Sequence, residues 1–420
     1  MSTVRSREAS CITVLVGQCG LQVGDSCLDE LHTSLEHSST ERGATGVSDC
    51  SMAANAPKLS FFNENGFARS VLVDTETKVV TSLLSKSRKW KYGKEKDVAV
   101  MEQGGAANNW AYGYKKKGPG GVGDLAMEAI RKQAEASDYL GGFFIIGSAA
   151  GGTGSGVGSF LSECLWDEYA TTPSVHSIVL PFETGEVAVQ GLNSVLSLGH
   201  LLGNGGGGTF VFQNEVAANR CLRNGNPHPT LPDLNRLIAR DVASTLVGGG
   251  EAFFSTVVSQ LWSRSDSFPF AELYSVPQTS DAAVHFTHDS WEALDKELER
   301  ASTKTKMVAA SLFLHGTDTA SALNLTCRAP KWAKFPSWAY KPWSSYEYPQ
   351  SWRGYARAAT LATNSGFVVR PLTEILSKAT DMLAARAYVH QYAAHGIELC
   401  DFENSILRLD RVLSMYSSLL

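Results

Sequence analysis

The chain has 420 residues, a net charge of −5 and a pI near 6.1. This length allows two or three domains with a large core, and the acidic balance does not suggest a nucleic-acid binder. No apolar run approaches the roughly 20 residues of a membrane span, and the apolar stretch from Ile12 is too short for a signal peptide. The cysteines form no C-x-x-C pair, so we interpret them as reduced thiols of an intracellular protein without a zinc site.

The first predicted unit is a buried strand over residues 12–16, a glycine turn and a helix. The turn is Gly17-Gln18-Cys19-Gly20, and the helix places Val23, Cys27, Leu28 and Leu31 on one face. Gln18 and Gln22 then lie at the helix start, where they either reach a ligand or are simply solvated. Residues 33–60 are rich in Ser, Ala, Thr and Gly without periodicity, which predicts a flexible surface loop.

A second strand, Ser70 to Val73, ends in Asp74-Thr75-Glu76. Carboxylates at the carboxyl end of a strand suit the ligand crevice of an α/β sheet, but they also serve as helix caps or solvated ends. A loop of small residues follows at 104–113 and contains Ala106, Ala107 and Asn108. The lysines at 115–117 favour a solvated face over phosphate steering.

The stretch Gly147 to Gly158 is the most glycine-rich motif considered in the chain. An apolar run precedes it and an amphipathic run follows it, which predicts a strand, a glycine loop and a helix. Strand, glycine loop and helix start together form an anion site, because the loop turns its N–H groups inward and the helix start carries partial positive charge. The alternative is a tight turn without a ligand, but six glycines in twelve residues exceed what a turn needs. The loop is neither a Walker A motif nor Gly-x-Gly-x-x-Gly.

The loop does resemble the tubulin signature that cradles the GTP phosphates, here Gly151-Gly152-Thr153-Gly154-Ser155-Gly156. Gly17-Gln18-Cys19-Gly20 resembles the first tubulin motif, with Leu21 replacing the usual Asn. The resemblance implies an α/β, tubulin-like fold with a Rossmann-type parallel-sheet GTPase domain. Its implied divisions are a GTP-binding domain (1–230), a core helix (231–249), a smaller α/β intermediate domain (250–369) and C-terminal helices (370–420).

The same resemblance implies a set of residues that contact GTP or GDP. They are Gly17, Gln18, Cys19, Gln22, Ala106, Ala107, Asn108, Ser148, Ala150, Gly151, Gly152, Thr153, Gly154, Glu186, Gln190, Asn214, Leu231 and Asn235. Asp74 and Glu76 would serve Mg²⁺, often through waters. A side chain at Gly152 is expected to intrude on the phosphate cradle.

Individual roles follow from the motifs. Asn108 would contact the terminal phosphate, and Asn214 and Asn235 would read guanine, since an amide presents both a donor and an acceptor. Gln190 is neutral where a ribose-contacting acid is common, and Leu231 replaces an aromatic that stacks on the base. These two departures support an alternative: a structural homologue with weak or no nucleotide binding and turnover.

Beyond a hinge at Gly248-Gly249-Gly250, short strands are predicted at 312–314 and 366–369. Long helices are predicted from Pro371 to Tyr392 and from Phe402 to Leu420. The resemblance implies that an acid in the segment after the core helix orients water on a neighbouring subunit. Gln260 stands at its place, with Glu251 or Asp266 as alternatives, so the catalytic residue is unknown and intrinsic hydrolysis is expected to be weak or absent.

Within the family the resemblance is to the δ-tubulins, through Trp90-Lys91-Tyr92-Gly93, Thr184-Gly185-Glu186-Val187 and Ala387-Tyr388-Val389-His390-Gln391-Tyr392. It implies a cytoplasmic, cytoskeletal protein of the centriole and basal body, active in triplet microtubule assembly and cilium or flagellum formation. Implied partners are other tubulins or centriolar and basal-body proteins, with no nucleic acid and no membrane. A nicotinamide-dependent oxidoreductase on a similar sheet is a third hypothesis, but its dinucleotide fingerprint is absent.

Overall fold

The computed structural model describes residues 9–44, 60–116, 118, 120–185, 187–203, 208–247, 253–264, 266–277, 290–302, 305–316 and 329–420. The predicted hinge at 248–250, Glu186 and Glu251 lie outside these ranges. Within them, no helix combines the length and the apolar character that crossing a membrane requires.

The strands are β1 Ser10–Val16, β2 Ser70–Asp74, β3 Ala99–Met101, β4 Leu140–Ser148, β5 Ser174–Leu180, β6 Thr209–Gln213, β7 Phe270–Pro277, β8 Met307–Gly316, β9 Trp343–Tyr348 and β10 Arg357–Ser365. The first helices are α1 Gly17–Ala44, α2 Thr77–Ser85, α3 Glu95–Val98, α4 Trp110–Lys115, α5 Val122–Glu135, α6 Gly158–Glu168 and α7 Gln190–Gly203. The later helices are α8 Asn214–Arg223, α9 Leu231–Leu246, α10 Ser259–Leu261, α11 Trp291–Ala301, α12 Val369–Ala384, α13 Val389–Ala393 and α14 Leu399–Ser417.

The strands form one continuous sheet in the order β3-β2-β1-β4-β5-β6-β7-β10-β8-β9. Strands β1 to β6 are parallel to their neighbours, as the repeated strand–turn–helix units predict. Strand β10 is antiparallel to β7 and β8, so the second half of the sheet is mixed. The two halves meet at β6 and β7, which pair over a short register, Thr209 with Phe270 and Phe210 with Ala271. This α/β architecture agrees with the tubulin-like fold expected from the motifs.

Strand β1 is buried along its whole length, and its side chains alternate between the two faces of the sheet. Ile12, Val14 and Val16 pack in the cluster that includes α5 and α6. Cys11 and Leu15 belong to the opposite cluster, with α1 and α9. Helices therefore cover both faces, and the loops after the parallel strands collect at one edge, where α/β sheets bind ligands.

Three local predictions were wrong. Helix α1 continues to Ala44, so the loop expected at 33–60 does not begin at residue 33. Gly366–Val368 is a 3₁₀ turn leading into α12 rather than a strand. The helix expected from Pro371 to Tyr392 is divided, because α12 ends at Ala384 and Arg386 and Tyr388 adopt left-handed backbone. A short apolar run does not distinguish a strand from a buried helical turn.

Helix α9 joins the two halves of the sheet through a buried ion pair. Arg220 of α8 donates to Asp241 of α9, which is fully buried, with a 3.0 Å bond from Nη2 to Oδ1. Ser275 of β7 completes the network, because its N–H donates to the same carboxylate at 3.2 Å. Removing one partner of such a pair leaves a buried charge, which is strongly destabilising.

Glu272 lies in β7, next to the pairing of Phe210 with Ala271, and its raised pKa predicts a pH-dependent effect on stability. Burial raises its pKa from 4.5 to about 7, and the hydroxyl of Thr363 donates to its carboxylate at 3.2 Å. A carboxyl group with a raised folded-state pKa contributes stability that is fully present below about pH 4.5 and lost as pH rises through about 7. Glu272→Gln keeps the acceptor, so it should stabilise the fold by about 1–2 kcal/mol at pH 8 and by less at pH 5.

Thermal unfolding at the two pH values measures this difference. Glu64→Gln, at an exposed turn position, is the control and should behave like the wild type. An equal effect of Glu272→Gln at pH 5 and pH 8 would contradict the raised pKa of Glu272.

Candidate functional site

A cleft of about 470 Å³ lies at the carboxyl edge of the parallel strands. The last residues of β1, β2 and β4 and the penultimate residue of β5 reach it, and the starts of α1, α7, α8 and α9 complete its wall. Its volume is in the range of ligand sites in proteins. The fold thus brings strand ends and helix starts, which are far apart in sequence, to one place.

Most of the residues named from the motifs line this cleft. They are Gly17, Gln18, Cys19, Gln22, Asp74, Glu76, Asn108, Ser148, Ala150, Gly151, Gly152, Thr153, Gly154, Gln190, Asn214, Leu231 and Asn235. Ala106 is buried and packs against Gly152, and Ala107 is exposed; neither is part of the lining. Phe182, Thr184 and Gly185 also line it. Thr184 and Gly185 belong to the motif at 184–187, but none of the three was named as a contact residue.

The glycine loop leads into α6 through a π-helical turn at Gly152–Val157. Turns of this kind are frequent at functional sites. The glycines allow neighbouring backbone to approach: a Cβ on Gly156 would lie 2.3 Å from the carbonyl oxygen of Trp110. A Cβ on Gly152 would lie 2.5 Å from the carbonyl oxygen of Ala106 and 2.8 Å from the amide nitrogen of Asn109. Gly152 is thus required for packing between loops, which differs from the expected intrusion on a phosphate.

Gly17 brings the first turn against the same loop. It has φ of +71°, and a Cβ there would lie 2.7 Å from the amide nitrogen of Gly154. Both the conformation and the close approach favour glycine. The two predicted glycine motifs therefore form one surface of the cleft.

Asp74 and Glu76 both line the cleft, and the side chain of Thr153 hydrogen-bonds to the carboxylate of Asp74. Burial raises the pKa of Asp74 to about 6, although the backbone amides of Thr75 and Glu76 hydrogen-bond to the carboxylate and oppose this shift. The hydroxyls of Thr75 and Thr153 are 2.6 Å apart and join this strand end to the glycine loop. Among the described residues, no group of three or more His, Cys, Asp or Glu could hold a metal by itself. Two carboxylates suit Mg²⁺ when phosphate and water supply the remaining oxygens.

Asn108 and its neighbour Asn109 have different surroundings. Asn109 is buried and caps α4, since its side chain accepts from the N–H of Tyr112 at 3.1 Å. Asn108 is exposed at the cleft and has left-handed backbone, with φ of +49°. Asn108 is therefore the one of the two whose side chain faces the cleft.

Helices α8 and α9 contribute their first residues to the cleft wall. Asn214 donates to the carbonyl of Leu180 at 3.2 Å, and Asn235 donates to the side chain of Gln22 at 3.3 Å. Leu231, in the first turn of α9, is 58% exposed, so an apolar side chain faces solvent at the cleft. Gln190 donates to the carbonyl of Phe182 at 2.9 Å and closes the preceding loop.

Sequence reasoning missed Asn193, which lies behind the cleft. It is fully buried, and its Nδ2 donates to the carbonyls of Asn108 at 2.8 Å and Ala150 at 2.7 Å. It thereby holds together two loops that line the cleft. An Asn within an otherwise apolar helix pattern is the signal that could have identified it.

Comparisons with known proteins agree with this geometry. A family model described as Tubulin/FtsZ family, GTPase domain, matches residues 10–221. The tubulin delta chain of Homo sapiens is 32% identical over 98% of this chain and 100% of that protein, and that of Mus musculus is 30% identical over 98% and 99%. The tubulin alpha-1 chain of Pelvetia fastigiata is 28% identical over 94% and 92%. The similarity therefore extends well beyond the glycine loop.

Two adjacent glycines provide a test of the loop packing. Gly152→Ala should destabilise the fold by about 1–3 kcal/mol, because its methyl group meets backbone atoms of the 106–109 loop. Gly151→Ala is the matched control: its Cβ meets no atom within 4 Å, and its φ of −84° suits alanine. Thermal unfolding should show a lowered midpoint for Gly152→Ala alone. Equal midpoints for the two variants would contradict the packing role.

Proposed function

Because this chain belongs to the tubulin family, in which it is δ-tubulin-like by homology, we propose that its cleft binds GTP or GDP. The observation that carries the proposal is the convergence of the tubulin-type motifs on one cleft of about 470 Å³. Loop amides near the start of a helix favour an anion there, so the phosphates belong at the glycine loop.

We also propose a Mg²⁺ site, because Asp74 and Glu76 line the same cleft as the glycine loop. Asp74 and Glu76 would hold Mg²⁺ beside the phosphates, with waters completing its coordination. A cation would also favour the ionised form of Asp74, whose burial otherwise favours the protonated form. The ion would neutralise phosphate charge near the buried carboxylate.

Base recognition is assigned to Asn214 and Asn235, which line the same cleft. Each side chain has an amide group that can donate to and accept from a base edge. Their present partners, the carbonyl of Leu180 and the side chain of Gln22, fix their positions before a base arrives. Guanine offers both donors and an acceptor on one edge, which matches two amides better than adenine does.

For the biological role, we propose that the chain acts with other tubulins or with centriolar and basal-body proteins. Its expected setting is the cytoplasmic cytoskeleton, in triplet microtubule assembly and in the formation of cilia or flagella. Supporting this role are the similarity to tubulin delta chains over nearly the whole chain and the δ-tubulin motifs at Trp90 and Tyr388. Localisation of the tagged chain in ciliated cells, compared with a centriole marker, is the direct test.

Guanine selectivity is the first test of nucleotide binding. In competition titrations the chain should bind GTP at least about tenfold more tightly than ATP, since adenine would leave the half-buried amides of Asn214 and Asn235 without matching partners on the base. Asn235→Ala should weaken GTP binding by about tenfold and reduce this preference. Asn219→Ala, on the exposed side of α8, should leave both affinities unchanged. Equal affinity for GTP and ATP would reject the base assignment, and no binding to either would favour the structural homologue.

The second test concerns hydrolysis. The described segment 253–264 contains no Asp or Glu, and Gln260 stands where a water-orienting acid is expected. Its side chain donates to the carbonyl of Lys341 at 3.1 Å and accepts from the hydroxyl of Tyr346 at 3.3 Å. Glutamine does not take a proton from water at neutral pH, and loss of a general base typically costs about 10²–10⁴-fold in rate.

GTP turnover should therefore be slow at every protein concentration, alone and with αβ-tubulin. A steep rise in turnover with the chain's own concentration that is lost in Glu251→Ala would contradict this. It would place the acid at Glu251 and identify a self-activating GTPase.

A further inference from the structure

Asn193 lies in the first turn of α7, and both the NH₂ group and the oxygen of its side-chain amide are hydrogen-bonded. Its Nδ2 donates to the carbonyl oxygens of Asn108 and Ala150, at 2.8 and 2.7 Å. Its Oδ1 accepts from the N–H of Trp110 at 2.9 Å and from the hydroxyl of Tyr392 at 2.6 Å. An amide side chain offers two donors and two acceptor positions, so this buried residue is fully satisfied.

Three of these four bonds position the wall of the cleft. Asn108 and Ala150 line it, and Trp110 begins α4 directly after the loop that contains Asn108. Ala107 and Asn108 both have φ of +49°, a left-handed backbone that is unfavourable for alanine and better tolerated by asparagine. Such a conformation persists when its surroundings hold it, and the bond from Asn193 to the carbonyl of Asn108 supplies a fixed contact.

The fourth bond leads away from the cleft to the C-terminal helices. Tyr392 is fully buried in α13, between α12 and α14, and its ring packs edge-on against Phe402 with centroids 5.2 Å apart. A second contact lies beside it, where the rings of Tyr112 in α4 and His395 stack at 4.8 Å. The segment 388–396 therefore contacts both Asn193 and the helix that follows the Asn108 loop.

We propose that Asn193 is a positioning residue whose bond with Tyr392 couples the C-terminal helices to the two cleft loops. The coupling rests on the proposed function for its ligand, GTP. Because coupling between two sites is reciprocal, a nucleotide that orders the loops also protects the segment 388–396, and loosening that segment weakens nucleotide binding. A partner that binds the C-terminal helices would thereby alter the affinity of the cleft.

The molecule contains a matched control for the Tyr392 hydroxyl. Tyr416 of α14 is also fully buried, and its hydroxyl also donates to an asparagine, Asn364 Oδ1, at 2.9 Å. It further bonds to the backbone of Phe270 in β7, and it does not line the cleft. Tyr392→Phe and Tyr416→Phe therefore each remove one buried hydroxyl from the C-terminal helices, but the first alone loses the link to Asn193.

The experiment is hydrogen exchange by mass spectrometry on the full chain, without nucleotide and with Mg²⁺ and GTP, together with GTP titrations. Without nucleotide, Tyr392→Phe should speed exchange at 104–112 and 148–154, which include the Trp110 amide that bonds to Asn193. It should also weaken GTP binding by about 2- to 10-fold. Tyr416→Phe should change exchange near Phe270 and leave GTP affinity within about twofold.

In the wild-type chain, GTP should slow exchange at 388–396, a result that needs no variant. Unchanged exchange of both cleft loops in Tyr392→Phe would overturn the coupling, as would equal changes in those loops in both variants. Failure of the wild type to bind GTP would overturn the proposed function instead. The comparison without nucleotide would still decide whether Asn193 and Tyr392 position the loops.

Discussion

The cleft depends on the close approach of three backbone segments that leave no room for a Cβ. The turn at Gly17 meets Gly154, and the turn at Gly152 meets the 106–109 loop. A Cβ on Gly113 of α4 would lie 2.1 Å from the carbonyl oxygen of Gly152. The abundance of glycine in this chain is therefore explained in part by packing between loops, in addition to any contact with a phosphate.

This packing has an electrostatic consequence. The Gly17 turn, the glycine loop at 152–154 and the 106–109 loop lie close together, and each leads into a helical segment. The buried carboxylate of Asp74 lies beside Thr153 of the glycine loop. The N–H groups at these helix starts favour an anion and the carboxylate opposes it, so a divalent cation would satisfy both. The raised pKa of Asp74 shows the cost of keeping that carboxylate buried in the protein by itself.

Buried polar contacts connect the cleft to the rest of the molecule. Asp241 and Arg220 join α8 and α9 to β7, while Asn193 and Tyr392 join the cleft loops to the C-terminal helices. Such contacts are directional, so they fix the relative placement of elements that apolar packing alone would leave less specific. The helices that begin at Asn214 and Leu231 are thus held at both ends, by the cleft and by the second half of the sheet.

Local patterns in the sequence predicted the parallel strands and the glycine turns: apolar runs of strand length, glycines at strand ends and helix periodicity. Most of the residues that line the cleft were instead implied by the resemblance of the motifs to those of tubulins. Gly366–Val368 and the end of α1 were misassigned because a short buried run, or a run of small polar residues, has no decisive period. The packing role of Gly152 and the position of Asn193 became evident from the three-dimensional arrangement of the loops and helices. Asn193 and Tyr392 are separated by 199 residues, and nothing in the local pattern around either one specifies that their side chains will meet. That meeting is set by how α7 and α13 pack, which is a property of the whole fold.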